Sequence, residues 1–402
     1  MGLRILFLAS QFPFPADSGA TIKSLSIVEH LRRRRHEVRL IALTSAPLTR
    51  EQEKWSVRLG GARTVQHSSP RNAWTLIRSY LARVPLSIER TRNAEMTTLV
   101  EAEVEDFRPD VVLADGWLMA QYVPDGFGGR KLLHEHNAEH ELWDRQAELE
   151  GGLRRLLARR EAGRVRRYEA GLLRRFDTTF VVSPDDRRAL GKIGGDLNRI
   201  KVLPNIPDAT LLEEPAPSFK LTEPVVLYFG TLSWQPNIEG LQRYLSFGHK
   251  QIVKRAPASI LLVAGKGASP ELVRRMEQTS NVEFLGEVEE AEELYKRARV
   301  AVDSSRSGGG TRLKILNALA RGIPVVASSE AARGLDIVPG EHLIVARNEH
   351  ALIDGVTSLL QDEERWRVLS QNGRALIRAK YVPETAFEAL DQTLARISKA
   401  QS

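Results

Sequence analysis

The sequence predicts an α/β protein of two doubly wound, Rossmann-like domains in tandem. Three observations carry that expectation. Short apolar runs alternate with helical patterns along nearly the whole chain of 402 residues. The runs are continuous in Val, Ile and Leu, as suits parallel strands covered on both faces. A stretch with four prolines and little periodicity, residues 205–224, splits the series near its middle.

In the first half the strand candidates are residues 4–10 (RILFLAS), 37–44 (EVRLIALT), 110–116, 130–136, 178–183 and 199–205. A helix is expected between the first two, because Ile22, Leu25, Val28 and Leu31 fall on one face. The second series is 224–231 (PVVLYFGT), 259–267, 281–288, 299–305, 323–329 and 342–348. The domains are therefore placed at residues 1–207 and 224–383, with a linker at 208–223. One more helix, at residues 384–397, is expected to pack back on the first domain. A ligand cleft is expected between the domains.

Hydrophobic residues make up 42% of the chain and charged residues 27%, as in soluble globular proteins. No apolar run approaches the roughly 18 residues of a membrane span. The start MGLRILFLASQFPFP reads as a buried strand and not as a leader, since its apolar part is short and no small-residue cleavage site follows. With no cysteine, disulfides and thiolate-bound metals are excluded, and a cytoplasmic location is expected. The net charge of +7 sits in one half. Residues 1–207 hold 34 Lys and Arg against 26 Asp and Glu, and the remainder 24 against 25. The basic half fits either a solvated Arg-rich surface or an anionic partner.

The stretch SSRSGGGTRLKILNALARGIPVV, residues 304–326, concentrates the chemistry. Gly308, Gly309 and Gly310 follow a strand at its carboxyl end, where open α/β sheets bind ligands. A helix is expected from about Thr311, with its unpaired N–H groups aimed the same way. Arg312 and Lys314 add two full charges beside it. Together these groups suit a diphosphate. The order GGGTRLK is neither a phosphate-binding G-x4-G-K-[ST] loop nor a dinucleotide G-x-G-x-x-G fingerprint.

The C-terminal half, with LYFGTLSWQPNIEGLQRYL, LVAGKGASPELVRRM and GGGTRLK in that order, resembles the nucleotide-sugar-binding domain of family 4 glycosyltransferases. These are retaining enzymes of the GT-B fold. SGATIKSLSIVEHLRRRRHEVRLIAL and PNIPD extend the resemblance into the first half. It implies that Gly230 and Thr231 lie near the donor's phosphates, and that Gly286 to Val288 hold the base through backbone groups. Gly309, Gly310 and Thr311 join them on the donor, and Arg312 and Lys314 stabilise the leaving diphosphate. Gly19, in the turn before the first helix, corresponds to a loop that closes over the donor. The chain departs from the family's Glu-x7-Glu pattern, with Gly309 at the first position and Asn317 at the second. Asn317 can still bond a ribose hydroxyl. The missing first Glu leaves the sugar unspecified.

A second constellation, LLHEHNAEHELW at residues 132–143, puts His134, His136, Asn137, Glu139 and His140 at a strand end and a helix start. His136 and His140 stand four apart, but the order H-N-A-E-H is not H-E-x-x-H, and no metal is assigned. HNAE resembles the HN-x-E signature of a subgroup that also carries GGTRLK. The resemblance points His136 into the cleft as a catalytic group, with Asn137, Glu139 and Asn205 as cleft or acceptor-side residues. Helix capping is the open alternative for Asn137 and Glu139. Residues 151–175 contain nine arginines, with Leu153, Leu156, Leu157, Tyr168 and Leu172 marking an apolar side. Such a helix either packs its apolar side inward or lies on the inner face of an acidic membrane. No nucleic-acid-binding pattern is present.

The function expected is retaining transfer of a sugar, from a UDP-sugar before other nucleotide donors, to an acceptor on the first domain. That acceptor is a lipid-linked saccharide, a natural-product aglycone or a protein. The resemblance implies no cofactor and no metal. Two alternatives are an epimerase or hydrolase of the same fold and a non-catalytic nucleotide-sugar-binding partner, which the missing Glu allows.

Overall fold

The computed structural model describes residues 2–16, 18–69, 72–288, 291–306 and 312–401. The chain forms two compact units, one of residues 1–204 with 387–402 and one of residues 205–386.

The first unit holds a parallel sheet of β1 (Arg4–Ala9), β2 (Glu37–Thr44), β3 (Arg63–Gln66), β4 (Val111–Asp115), β5 (Arg130–Glu135), β6 (Thr178–Val181) and β7 (Ile200–Val202). Their order is β3-β2-β1-β4-β5-β6-β7. β1 and β4 bury almost every side chain, because helices cover both faces of the sheet. The helix Gly19–Arg33 starts on a capping box, in which Ser18 and Thr21 satisfy each other's backbone N–H groups. It buries Ile27, Val28 and Leu31, and with them Lys23 and Ser24.

The second unit holds β8 (Val225–Phe229), β9 (Ile260–Ala264), β10 (Val282–Phe284), β11 (Ala298–Asp303), β12 (Val325–Ser328) and β13 (Ile344–Ala346). Their order is β10-β9-β8-β11-β12-β13, again all parallel. In each sheet the winding reverses beside the first strand, between β1 and β4 and between β8 and β11. These are the positions where a crevice opens beyond the strand ends.

Three readings of the sequence change. Residues 208–223 are not a free linker but part of the second unit. Leu211 and Leu212 pack on its core. Arg374 donates to the carbonyls of Leu212 at 2.9 Å and Glu214 at 2.6 Å. Arg299 lies 4.0 Å from the Phe219 ring centre and donates to the Thr222 carbonyl at 2.6 Å. The helix read at residues 384–397 is interrupted at Phe387: Pro383–Ala386 ends the second unit, and Glu388–Gln401 lies in the first. There Phe387, Leu390 and Leu394 are buried, and Asp391 accepts from His30 Nε2 at 2.8 Å. Finally, the apolar side of the helix Gly152–Arg175 divides. Leu172 is buried and Tyr168 half-buried, whereas Leu153, Leu156 and Leu157 stand in solvent. No described helix is long and apolar enough to cross a membrane.

Candidate functional site

In the second unit the site is assembled at the β8–β11 reversal. β11 ends on Asp303, whose buried carboxylate faces the first turn of the helix Leu313–Arg321. Lys314 on that turn reaches Asp303 Oδ2 at 3.1 Å. Its ammonium also donates to Asn237 Oδ1 at 2.9 Å and lies 5.1 Å from the centre of the Tyr228 ring. Asn237 is the hub of this cluster. Its Nδ2 donates to the Thr231 carbonyl at 2.9 Å, and its own carbonyl accepts from the Tyr228 hydroxyl at 2.7 Å. Gly230, with φ of +156°, lets the turn pass close to Asn237, since a Cβ there would stand 3.0 Å from Nδ2. Thr231 and Gly230 are thereby fixed to Lys314 through one amide side chain.

The helix begins at Leu313, with Arg312 as its N-cap residue, later than the start expected at Thr311. Arg312 is buried, and it acts electrostatically on both Asp303 and Lys314. Burial opposes ionisation of Asp303, but the neighbouring Lys314 and Arg312 charges win and hold its carboxyl below the usual range. Burial lowers Lys314, with Arg312 adding to the fall and Asp303 opposing it. Two cations, Arg312 and Lys314, thus stand with the Asp303 carboxylate at the end of β11. Gly309, Gly310 and Thr311 lie outside the described residues. Asn317 is half-buried one turn further along the same helix. Gly286 has φ of +70° in the loop after β10, and its carbonyl accepts from Gly265 N at 2.7 Å. Val288 packs partly on the core. Asn205 is buried at the start of the unit.

In the first unit a second cluster forms at the β1–β4 reversal. Asp115 ends β4 in register with His134 of β5. Register alone therefore brings Asp115 Oδ1 within 2.6 Å of His134 Nδ1. His136, two residues on and on the same side, reaches the same oxygen through Nε2 at 3.2 Å. Oδ2 accepts from the Ser24 hydroxyl. Lys23 is fully buried, and its ammonium donates to the Pro204 carbonyl at 2.6 Å. Burial pulls the Lys23 amine down to about 7, with the Asp115 charge opposing. Burial likewise brings the His134 ring to about 4. Asp115 itself stays well below the carboxylate range: burial opposes its charge, but His136 and His134 overcome it.

Behind this cluster, Glu169 takes over the helix start of Glu139–Leu149. Its carboxylate accepts from Glu139 N at 2.8 Å, from His140 N at 3.2 Å and from His140 Nδ1. Asp186 accepts from Ala138 N at 3.0 Å. Capping by Asn137 is thus displaced: the N-cap residue is Ala138, and Asn137 bonds Glu139 instead. Glu139 is half-buried, and burial, with the Glu169 charge, raises it to about 7. Glu135, fully buried beside Glu169, is raised well above its ordinary value. Between pH of about 4.5 and 7 the folded chain holds a proton on Glu139 that the unfolded chain releases, so this group costs stability as pH rises through that window. Glu139→Gln is expected to raise the melting temperature relative to the parent at pH 8 and to leave it nearly unchanged at pH 4. Equal differences at both pH values would contradict the assignment.

His136 and His140 do not converge, because His140 turns to Glu169. The metal-like grouping lies elsewhere: Asp115, His134 and His136 bring one ligand atom each within 4.8 Å of one another. The Lys23 charge senses the same carboxylate while its ammonium bonds the Pro204 carbonyl. Gly19 is not in a turn but is the first residue of its helix, and exposed. Asp115, Lys23 and Asp303 were missed as site residues. Their signal was a carboxylate ending each of two buried strands, and a lysine among the buried residues of the helix Gly19–Arg33.

Residues 18–206 match the family model of the glycosyl transferase 4-like domain, and residues 223–362 that of the glycosyl transferases group 1. Each half of the chain therefore belongs to a glycosyltransferase domain family, and the two sheets build the GT-B fold. Among solved structures, HepE of Anabaena in complex with UDP and glucose aligns over 98% of this chain and 100% of its own, with a TM-score of 0.64 and 14% identity. Sucrose-phosphate synthase of Thermosynechococcus elongatus aligns over 99% and 100%, with a TM-score of 0.70 and 17% identity. A TarM mutant of S. aureus in complex with fondaparinux, alpha-GlcNAc-glycerol and UDP aligns over 98% and 99%, with a TM-score of 0.70 and 12% identity. An uncharacterized 44.6 kDa protein in the cps region of Klebsiella pneumoniae is 24% identical over 172 residues, or 41% of this chain. That match spans 44% of the curated relative's length.

Proposed function

We propose that the chain transfers a sugar from a nucleotide diphosphate donor, a UDP-sugar first among them, to an acceptor held by the first unit. The observation that carries this reading is the Arg312, Lys314 and Asp303 cluster at the strand reversal of the second sheet. As the bond to the sugar lengthens, negative charge grows on the leaving diphosphate. Cations held in a buried site stabilise that change more than they stabilise the ground state. Gly230, Thr231, Gly309, Gly310 and Thr311 contribute backbone to the phosphates, Gly286 to Val288 hold the base, and Asn317 bonds the ribose. On the first unit His136, steadied by Asp115, acts on the reacting sugar and Asn137 and Glu139 serve the acceptor, as does Asn205 of the second unit. Solved relatives of the same fold with UDP and a sugar bound support the choice of donor.

The transfer retains anomeric configuration and proceeds without a metal. Thermal melts with UDP-, GDP-, ADP- and dTDP-sugars test the donor. Ligand at about 100 times its Kd stabilises by about 2.7 kcal/mol, so a UDP-sugar should raise the melting temperature by several degrees. No response to any of the four donors would end the reading. Proton NMR of the product's anomeric signal checks retention, and rates unchanged by EDTA check metal independence.

A further inference from the structure

The helix Ala73–Leu81 of the first unit is inside out. Its buried residues are Thr75 and Ser79, while Trp74 is 63% exposed, Ile77 48% and Leu81 76%. The inward polar groups are satisfied. Thr75 donates to Asn72 Oδ1 at 2.8 Å, and Ser79 Oγ accepts from Arg164 at 2.8 Å. A helix that turns its polar side to the protein and its apolar side to water is costly unless something covers it.

The first turns of the neighbouring helix Gly152–Arg175 do the same. Leu153 is 71% exposed, Leu156 64% and Leu157 54%, whereas Val165 and Leu172 of that helix are buried. The two surfaces are joined. Arg164 donates to the Ser79 carbonyl at 2.5 Å and lies 4.2 Å from the centre of the Tyr80 ring. Arg160, one turn from Leu156 and Leu157, lies 5.7 Å from the same ring. Glu161 accepts from Leu86 N at 2.5 Å. The segments 72–83 and 152–160 contain no Asp or Glu, and they carry Arg83, Arg154, Arg155, Arg159 and Arg160, with Arg78 paired to the buried Glu89 at 2.9 Å.

We propose that this surface of the first unit docks on an anionic lipid bilayer. Trp74, Ile77, Leu81, Leu153, Leu156 and Leu157 enter the headgroup and acyl boundary, and the arginines meet the lipid phosphates. Apolar side chains interleaved with arginine suit such an interface: the arginine stems lie along the apolar zone while their heads stay at the phosphates. Charge decides against a second copy of the chain: Arg78 has its carboxylate in Glu89, but a self-contact would set Arg83, Arg154, Arg155, Arg159 and Arg160 against one another. The proposal stands apart from the reading of the donor site, since none of these residues belongs to that site.

Sedimentation with phosphatidylcholine vesicles, with and without phosphatidylglycerol, tests it directly on the full chain. Binding to the mixed vesicles should exceed binding to phosphatidylcholine alone by roughly tenfold and weaken as salt is added. The pairs Ile77→Ser with Leu81→Ser, and Leu156→Ser with Leu157→Ser, should each reduce binding by roughly tenfold or more. Their melting temperatures should not fall, because the replaced side chains are already in solvent. The proposal is overturned by no binding to the mixed vesicles, by equal binding with and without phosphatidylglycerol, or by apolar variants that bind like the parent. A dimer in light scattering that the same variants dissociate would also overturn it, in favour of a second copy.

Discussion

Arg312→Ala is expected to lower kcat by at least roughly 100-fold while leaving the chain folded. The figure follows from the site. Asp303 and Lys314 offset each other at 3.1 Å, and Arg312, buried at the same helix start, adds a second cation for a departing diphosphate to meet. Without it that contribution to the leaving group is lost. Arg312→Lys keeps the charge but loses the planar fork, so its kcat should fall between the two. Lys314→Met should cost both folding and turnover, because it strands the buried Asp303 carboxylate. The split is the check. Steady-state kinetics and a urea melt should separate Arg312→Ala, with a large kinetic and small stability effect, from Lys314→Met. A parent-like kcat for Arg312→Ala would refute the leaving-group assignment.

Asp115→Asn is expected to destabilise the chain by about 3 kcal/mol, near the low end for breaking a buried ionic contact. Asp115 serves two histidines and Ser24 at once, and it opposes the burial of Lys23. Removing its charge leaves Lys23 the Pro204 carbonyl and the Phe387 ring but takes away the charge that opposes its burial. The loss is capped because burial already brings the Lys23 amine to about 7, so it can shed its proton instead of remaining charged. Pairing Asp115→Asn with Lys23→Met should therefore recover part of the loss. Urea unfolding of the parent, both single variants and the double variant would give that coupling. Strict additivity would show that the two groups do not sense each other.

Most of the sheet order could be read from the chain because parallel strands must be apolar on both faces. Every apolar run named from the sequence overlaps a strand. β3 escaped notice for the same reason: Arg63–Gln66 is an edge strand in which only Val65 is buried. Arg312 and Lys314 were legible because their cations adjoin a glycine run after a strand. Asp303 and Asp115 were not, since a strand-ending Asp acquires meaning only when a distant helix delivers a lysine to it. The misread linker has a similar cause. What fastens residues 208–223 is main-chain carbonyls bonded by Arg299 and Arg374, and carbonyls leave no mark in a pattern of side chains. The Asn137 cap failed because Glu169, thirty-two residues further on, offers the helix start a carboxylate instead.

The helix Glu388–Gln401 has an implication for biosynthesis. It covers the first unit, yet it leaves the ribosome only after the whole of residues 205–386. Nascent chains fold in the direction they emerge. The second unit, contiguous in sequence, can close while the earlier one still shows the ground meant for Phe387, Leu390 and Leu394. What is translated first is completed last, and during that interval its bare apolar strip is open to chaperones.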